Sequence, residues 1–168
     1  MKYDVLSLGP FRMDCFVTLP EDEITEICSV DRKRCMIELG FGEKIPVSTM
    51  HFSIGGNAAN NAVGVTRLGC KAAVVGTIGD GWADRQAAEV LKSEGVETKF
   101  TEIRPGQEAF GVVINYQGER TILVYRGASE YLTEKNIPWK KLKSKWFYIA
   151  PLSGELCGVF GDIIDFAN

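Results

Sequence analysis

An α/β fold built on buried parallel strands is what this 168-residue sequence predicts, and three observations carry that expectation. Apolar runs that do not alternate recur at residues 3–9, 72–78 and 146–150, as strands covered on both faces require. Segments of helical period follow strand-like segments twice, giving strand, helix, strand, helix. An apolar content of 45% beside 24% charged residues suits one ordinary globular domain of this length.

The first run, Tyr3 to Gly9, ends on glycine, which suits a parallel strand whose C-terminal end faces a ligand crevice, and Asp14 follows five residues later. From Glu21 to Lys44 the chain turns charged, with Asp31-Arg32-Lys33-Arg34 at its middle. That stretch reads as an excursion from the main sheet, a hairpin being its simplest form. Val47 to Ile54 regains strand character, and Gly55-Gly56-Asn57 then opens a helix. Ala58, Ala59, Ala62, Val63 and Leu68 share its helical period, and Gly69 is the natural C-terminal cap. Ala72 to Ile78 is the next strand, Gly79-Asp80-Gly81 a turn, and Trp82 to Glu94 a helix with Ala87, Val90 and Leu91 inward, closed by Gly95.

Phe110, Val112 and Ile114 alternate with Gly111, Val113 and Asn115, and a second alternating run from Thr121 to Arg126 follows the turn at Gln117-Gly118. This predicts a hairpin with one face free. Trp146 to Ala150 is another buried strand, and Glu155 to Ala167 begins a helix. A sheet ended there has an unpaired edge.

Several function classes are excluded or disfavoured. A net charge of −3 gives no long-range attraction for nucleic acid or anionic lipid, and Lys140, Lys141, Lys143 and Lys145 read as a solvated face. No window reaches the roughly 18 apolar residues of a membrane span, and the N-terminus carries no signal-like pattern, so a cytoplasmic protein is expected. Cys15, Cys28, Cys35, Cys70 and Cys157 show no C-x-x-C pair, which suggests neither a disulfide framework nor a zinc cage, and His51 is the single histidine. A Walker loop fails because Lys71 stands one place late after Gly64 to Gly69, and no G-x-G-x-x-G follows the first strand.

Chemistry concentrates at Gly55-Gly56-Asn57-Ala58-Ala59-Asn60. Two glycines where a strand meets a helix let the backbone approach a ligand, and the helix N-terminus offers N–H groups and positive dipole. A plain tight turn with Asn57 as N-cap explains the same residues locally. The lesser alternative for Asp14 is a turn aspartate that caps nearby backbone, and Asp80 suits the N-cap of the helix beginning at Trp82.

The order and spacing of Gly55-Gly56-Asn57-Ala58-Ala59-Asn60-Asn61-Ala62, then Arg67-Leu68-Gly69, then Val75-Gly76-Thr77-Ile78-Gly79-Asp80 resemble the N-terminal signature of the ribokinase (pfkB) carbohydrate kinases. The resemblance extends to Asp14, to the hairpin from Phe110 to Arg126, and to Gly127-Ala128-Ser129 with Leu132-Thr133. It implies a ribokinase-like three-layer Rossmann-type sheet with a small β lid, of which residues 1–168 are the N-terminal part, with lid strands from about 15–53 and 98–126. It further implies that Asp14, Gly55, Gly56 and Asn60 hold hydroxyls of a sugar or nucleoside, with Asn57, Arg12 and Phe110 in the same substrate set. Arg12 stands where ribokinases carry a hydroxyl-binding Asn. A guanidinium accepts no hydrogen bond but forks onto carboxylate or phosphate, so this departure counts against ribose and admits an acidic or phosphorylated acceptor. Gly81 replaces the family's second Asp of the turn.

The family's Asp-Thr-x-Gly-Ala-Gly-Asp motif, source of its catalytic base, does not occur before Asn168, nor does its ATP segment. ATP and Mg²⁺ are therefore expected for the full-length kinase but not from residues identifiable here, and the fragment is expected to be inactive alone. A homodimer through the lid is a further implication. A noncatalytic sugar-binding or dimerisation module is the alternative.

Overall fold

The computed structural model describes residues 2–22, 24–151 and 157–167. A large sheet is formed by β1 (Tyr3–Leu8), β6 (Ala72–Ile78), β7 (Glu97–Ile103) and β10 (Ser144–Ile149), all parallel, in the order β10-β1-β6-β7. Every residue of β6 is buried, so its apolar run has no solvent face to mark by alternation.

Side chains of successive residues leave the sheet on opposite sides, and each side has its own core. On one side Val74 and Ala72 pack with Ala59 and Ala62 of α1 (Asn57–Arg67) and with Ala83, Ala87 and Leu91 of α2 (Trp82–Ser93). On the other, Leu6, Leu8, Ala73 and Val75 pack with Leu132, Leu142 and with Val159 and Ile163 of α3 (Val159–Ala167). Helix, sheet and helix thus make three layers. Both central helices end in a Schellman motif: Gly69 and Gly95, with φ of 90° and 80°, turn the chain so that Cys70 N–H reaches the Val65 carbonyl at 3.0 Å and Val96 N–H that of Leu91 at 2.9 Å.

A second sheet, also of four strands, stands over the C-terminal end of β1. It comprises β2 (Arg12–Thr18), β5 (Thr49–Gly55), β8 (Phe110–Tyr116) and β9 (Glu119–Tyr125), in the order β5-β2-β8-β9. The central strand β2 runs antiparallel to β5 and parallel to β8. Gln117 and Gly118, at φ 49° and 83°, close the tight β8–β9 hairpin. The charged excursion forms its own hairpin of β3 (Thr25–Cys28) and β4 (Cys35–Glu38), and Ile24, Ile37 and Ile45 settle it against Tyr116 and Ile114.

Four expectations are corrected. The lid does not begin again at residue 98, because β7 pairs along β6 in the large sheet and the lid resumes only at Phe110. Cys28 and Cys35, directly opposed in the β3–β4 ladder with Cα atoms 4.0 Å apart, form a disulfide; a six-residue spacer hid a pairing that the hairpin creates. Leu68 does not join the inner face of α1, being the cap residue at 84% exposure. Asp80 does not cap α2, whose N-cap is Gly81; its Oδ1 instead accepts the N–H of Gly106 at 2.8 Å. The expected helix from Glu155 is observed from Val159, and its residues 155 and 156 lie outside the described residues. Among the described residues no helix is long and apolar enough to cross a membrane.

Candidate functional site

Asp14 lies in the middle of the lid sheet, opposite Ser53 on β5 and Gly111 on β8. It is 8% exposed, and its carboxylate fills a slot that only glycines can line. A Cβ on Gly55 would come 1.8 Å from Asp14 Oδ2, and one on Gly111 would come 2.1 Å from Oδ1. Arg12, two residues earlier on the same face of β2, donates from Nε to Asp14 Oδ1 at 3.2 Å. Burial pushes the Asp14 carboxyl above its ordinary value, and the Arg12 guanidinium opposes that shift without overcoming it.

Gly56 serves a different packing need from Gly55. At φ 95° it occupies a conformation that L side chains rarely adopt, and a Cβ there would meet the Pro10 carbonyl oxygen at 2.5 Å and Phe11 Cα at 2.7 Å. The 10–11 segment and the start of α1 therefore touch backbone to backbone. Gly56 is the N-cap of α1, with no side-chain cap and no acidic residue in the first turn, so the positive end of the helix is left to whatever enters beside it.

A cavity of about 290 Å³ opens there, lined by Pro10, Arg12, Gly56, Asn57, Val124, Arg126, Ala150 and Pro151. Of the residues expected to hold substrate, Arg12, Gly56 and Asn57 line it directly, while Asp14 and Gly55 lie behind Arg12 in the sheet. Asn57 is exposed and is not the N-cap. Asn60 lies one turn along α1, exposed and outside the cavity lining, with its N–H donated to the Gly56 carbonyl at 3.0 Å. Phe110 is not brought to the cavity: its side chain leaves β8 on the face opposite to Gly111 and packs against Phe52, ring centres 6.5 Å apart.

Gly111 and Arg126 were not singled out from the sequence. A glycine within the alternating run Phe110-Gly111-Val112 was the available signal for Gly111, since an interior strand glycine marks close approach. Arg126 ends the lid hairpin, and only the fold shows that this end returns to the cavity. Among the described residues, side chains that could jointly hold a metal ion converge only at Glu26, Cys28 and Cys35, whose two sulfurs are bonded to each other. The cavity offers no pair of carboxylates for Mg²⁺ and no phosphate-cradling loop, so the described residues do not fit a nucleotide–metal site.

A parallel sheet with a lid, and a carboxylate, glycine turns and arginines where they meet, define a lidded α/β domain whose crevice lies at the strands' C-terminal ends. The sequence matches the pfkB family carbohydrate kinase over residues 24–157, and the chain belongs to that family. It is 31% identical over 102 residues to aminoimidazole riboside kinase of Salmonella typhimurium, covering 58% of this chain and 32% of that protein. Among solved structures it resembles a fructokinase of Halothermothrix orenii at a TM-score of 0.71 and 23% identity, over 98% of this chain and 53% of that one. It also resembles a ribokinase of Cryptococcus neoformans solved with ADP, at a TM-score of 0.56 and 25% identity, over 79% of this chain and 36% of that one. The chain thus spans about a third of that curated relative and about half of the fructokinase structure.

Proposed function

We propose that this chain forms the acceptor-holding part of an ATP-dependent kinase that transfers the γ-phosphoryl group to a hydroxyl of a sugar or nucleoside, and that these residues alone do not catalyse the transfer. The observation that carries the reading is the Asp14 slot. A carboxylate sunk between Gly55 and Gly111, with Arg12 as its one side-chain partner among the described residues, is an acceptor held ready for hydroxyl donors. Family membership supplies the reaction class, and the ADP-bound ribokinase relative supports ATP as donor. Mg²⁺ would accompany the nucleotide, held by residues other than these.

Arg12 and Arg126 in one cavity, beside the uncapped start of α1, favour an acceptor that carries an anionic group in addition to its hydroxyls. The lid edges β5 and β9 expose Met50, Phe52, Ile122, Leu123 and Tyr125, which supports a homodimer through the lid. The cytoplasm is the expected compartment.

The test is a phosphotransfer assay on the product of the native reading frame, with neutral sugars, nucleosides, sugar acids and sugar phosphates as acceptors. Asp14→Ala should raise the acceptor KM about 10- to 150-fold, the equivalent of losing roughly 1.5–3 kcal/mol of charge-assisted hydrogen bonding. An unchanged KM removes Asp14 from the site.

A further inference from the structure

Two chain crossings join the lid to the large sheet, residues 104–109 outward and 126–129 on return. They run against each other and against one corner of the α/β layer. Arg104 N–H donates to the Ile78 carbonyl at 2.7 Å, Gly106 N–H to Asp80 Oδ1 at 2.8 Å, and Ala128 N–H to the Gln107 carbonyl at 3.1 Å. The Thr77 hydroxyl donates to the Ala128 carbonyl. No space is left between them: a Cβ on Gly127 would lie 1.5 Å from the Glu108 carbonyl oxygen, and one on Gly79 would lie 2.4 Å from that of Gln107.

Asp84, in the first turn of α2, is buried at this corner with 0% exposure, and among the described residues neither carboxylate oxygen has a hydrogen-bond partner of good geometry. The N–H groups of Gly79 and Ala109 lie against it and favour its ionised form without closing into bonds of good geometry. Burial outweighs them and pushes the carboxyl above its ordinary value, with Asp80 and Glu108 adding to the shift. Among the described residues no cation is paired with it. Arg85 turns away to the Asp80 carbonyl, Arg104 pairs with Glu102 at 2.9 Å, and Arg126 lines the cavity. A buried carboxyl without a cation costs stability, and the neighbouring inward positions of α2, Ala83 and Ala87, show that an apolar residue suits this face.

We propose that Asp84 is a positioning residue of the lid hinge: standing between Gly79, just past β6, and Ala109, at the foot of β8, it sets where Asp14 and Gly111 stand over Gly56. The acceptor part of this proposal rests on the function proposed above; the hinge part does not. Asp84→Asn keeps the shape and removes the charge, so it separates positioning from mere filling of space. In the native-reading-frame protein, amide exchange at 104–109 and 126–129 should quicken at least tenfold while β6 stays unchanged. The acceptor KM should rise about tenfold with the KM for ATP unmoved. The melting temperature should not fall, because a buried charge has been removed.

Unchanged hinge exchange overturns the proposal, as does faster exchange spread over the whole domain with a lower melting temperature, which is what a purely structural role produces. A loosened hinge with an unmoved acceptor KM overturns the link to the acceptor site. Absence of phosphotransfer in the wild type condemns the functional reading instead and leaves hinge exchange to decide. Should Asp84→Asn not fold, the wild type itself decides, since protection of the Ala109 amide must then change as the Asp84 carboxyl titrates. Protection independent of pH overturns the proposal.

Discussion

Gly111→Ala isolates the Asp14 slot with a single methyl group. The new Cβ would lie 2.1 Å from Asp14 Oδ1, whereas ordinary contacts begin near 3.4 Å, so the carboxyl must retreat by more than an ångström. The Gly55 side of the slot is equally close, at 1.8 Å for a Cβ built there, so the carboxyl has no second pocket to move into. The backbone at Gly111 lies in the regular ladder of β8, so alanine brings no backbone strain and reduces the freedom of the unfolded chain. The cost to folding is therefore confined to the crowded carboxyl, about 1–3 kcal/mol of overpacking, while the acceptor KM rises about 10- to 150-fold, if roughly 1.5–3 kcal/mol of bonding to the displaced carboxylate is lost. The assay is steady-state phosphotransfer on the native-reading-frame protein, as a double-mutant cycle with Asp14→Ala. In the Asp14→Ala background Gly111→Ala should have almost no further effect, because the group it displaces is gone. Equal effects in both backgrounds, or none in either, would refute the slot.

Three further outcomes follow from the same geometry. Gly56→Ala should lower stability by at least about 1–3 kcal/mol, because it adds left-handed strain to a contact with the Pro10 carbonyl, and urea denaturation reads it directly. Burial raises the Asp14 and Asp84 carboxyls, so the folded state holds these protons more tightly than the unfolded chain does. Their contribution to stability is full below the ordinary carboxylate value and lost as pH rises through the raised ones. Urea midpoints between about pH 4 and 8 should therefore rise for Asp84→Asn relative to wild type toward the alkaline end, and a constant difference would contradict the shift. Reduction of the Cys28–Cys35 disulfide, which joins residues seven apart, should release about 2.5 kcal/mol of loop constraint. Limited proteolysis should then cut the 29–34 turn while the Asp14 site stays protected.

The elements were legible where one segment carries its own signal. Gly55-Gly56 marked the strand-to-helix turn, Gly69 and Gly95 the helix ends, and Gln117-Gly118 the hairpin, because each is a local conformational demand. What was not legible is created by pairing between distant segments. Gly111 acquires its role only because β8 lies parallel to β2 and sets it opposite Asp14. Cys28 and Cys35 become partners only through the β3–β4 register. Strand β7 looked like lid because its partly buried residues alternate poorly, and its place beside β6 depends on a crossover through α2 that no periodicity reports. Asp84 sits in a regular helical pattern as an ordinary first-turn acid, and only the return of residues 104–109 over it makes it a buried one.

The central place of β2 in the lid also bears on how the chain is made. On a ribosome, β2 emerges ahead of both its neighbours and finds β5 within a few dozen residues, but its other edge waits for β8. Asp14 and Gly111 are 97 positions apart (111 − 14), an interval of about 5–20 s at ordinary translation rates. Through that interval β2 offers an open row of backbone donors and acceptors flanked by Met13, Cys15, Phe16 and Val17, the kind of edge on which nascent chains mispair. Arg12 and Asp14 are the charges on that waiting edge, and an ionised side chain in mid-strand is costly to bury against a foreign strand. The glycine opposite Asp14 on β8 leaves room for its carboxyl where a side chain would clash, which favours the lid's true second neighbour over a strand that arrives sooner.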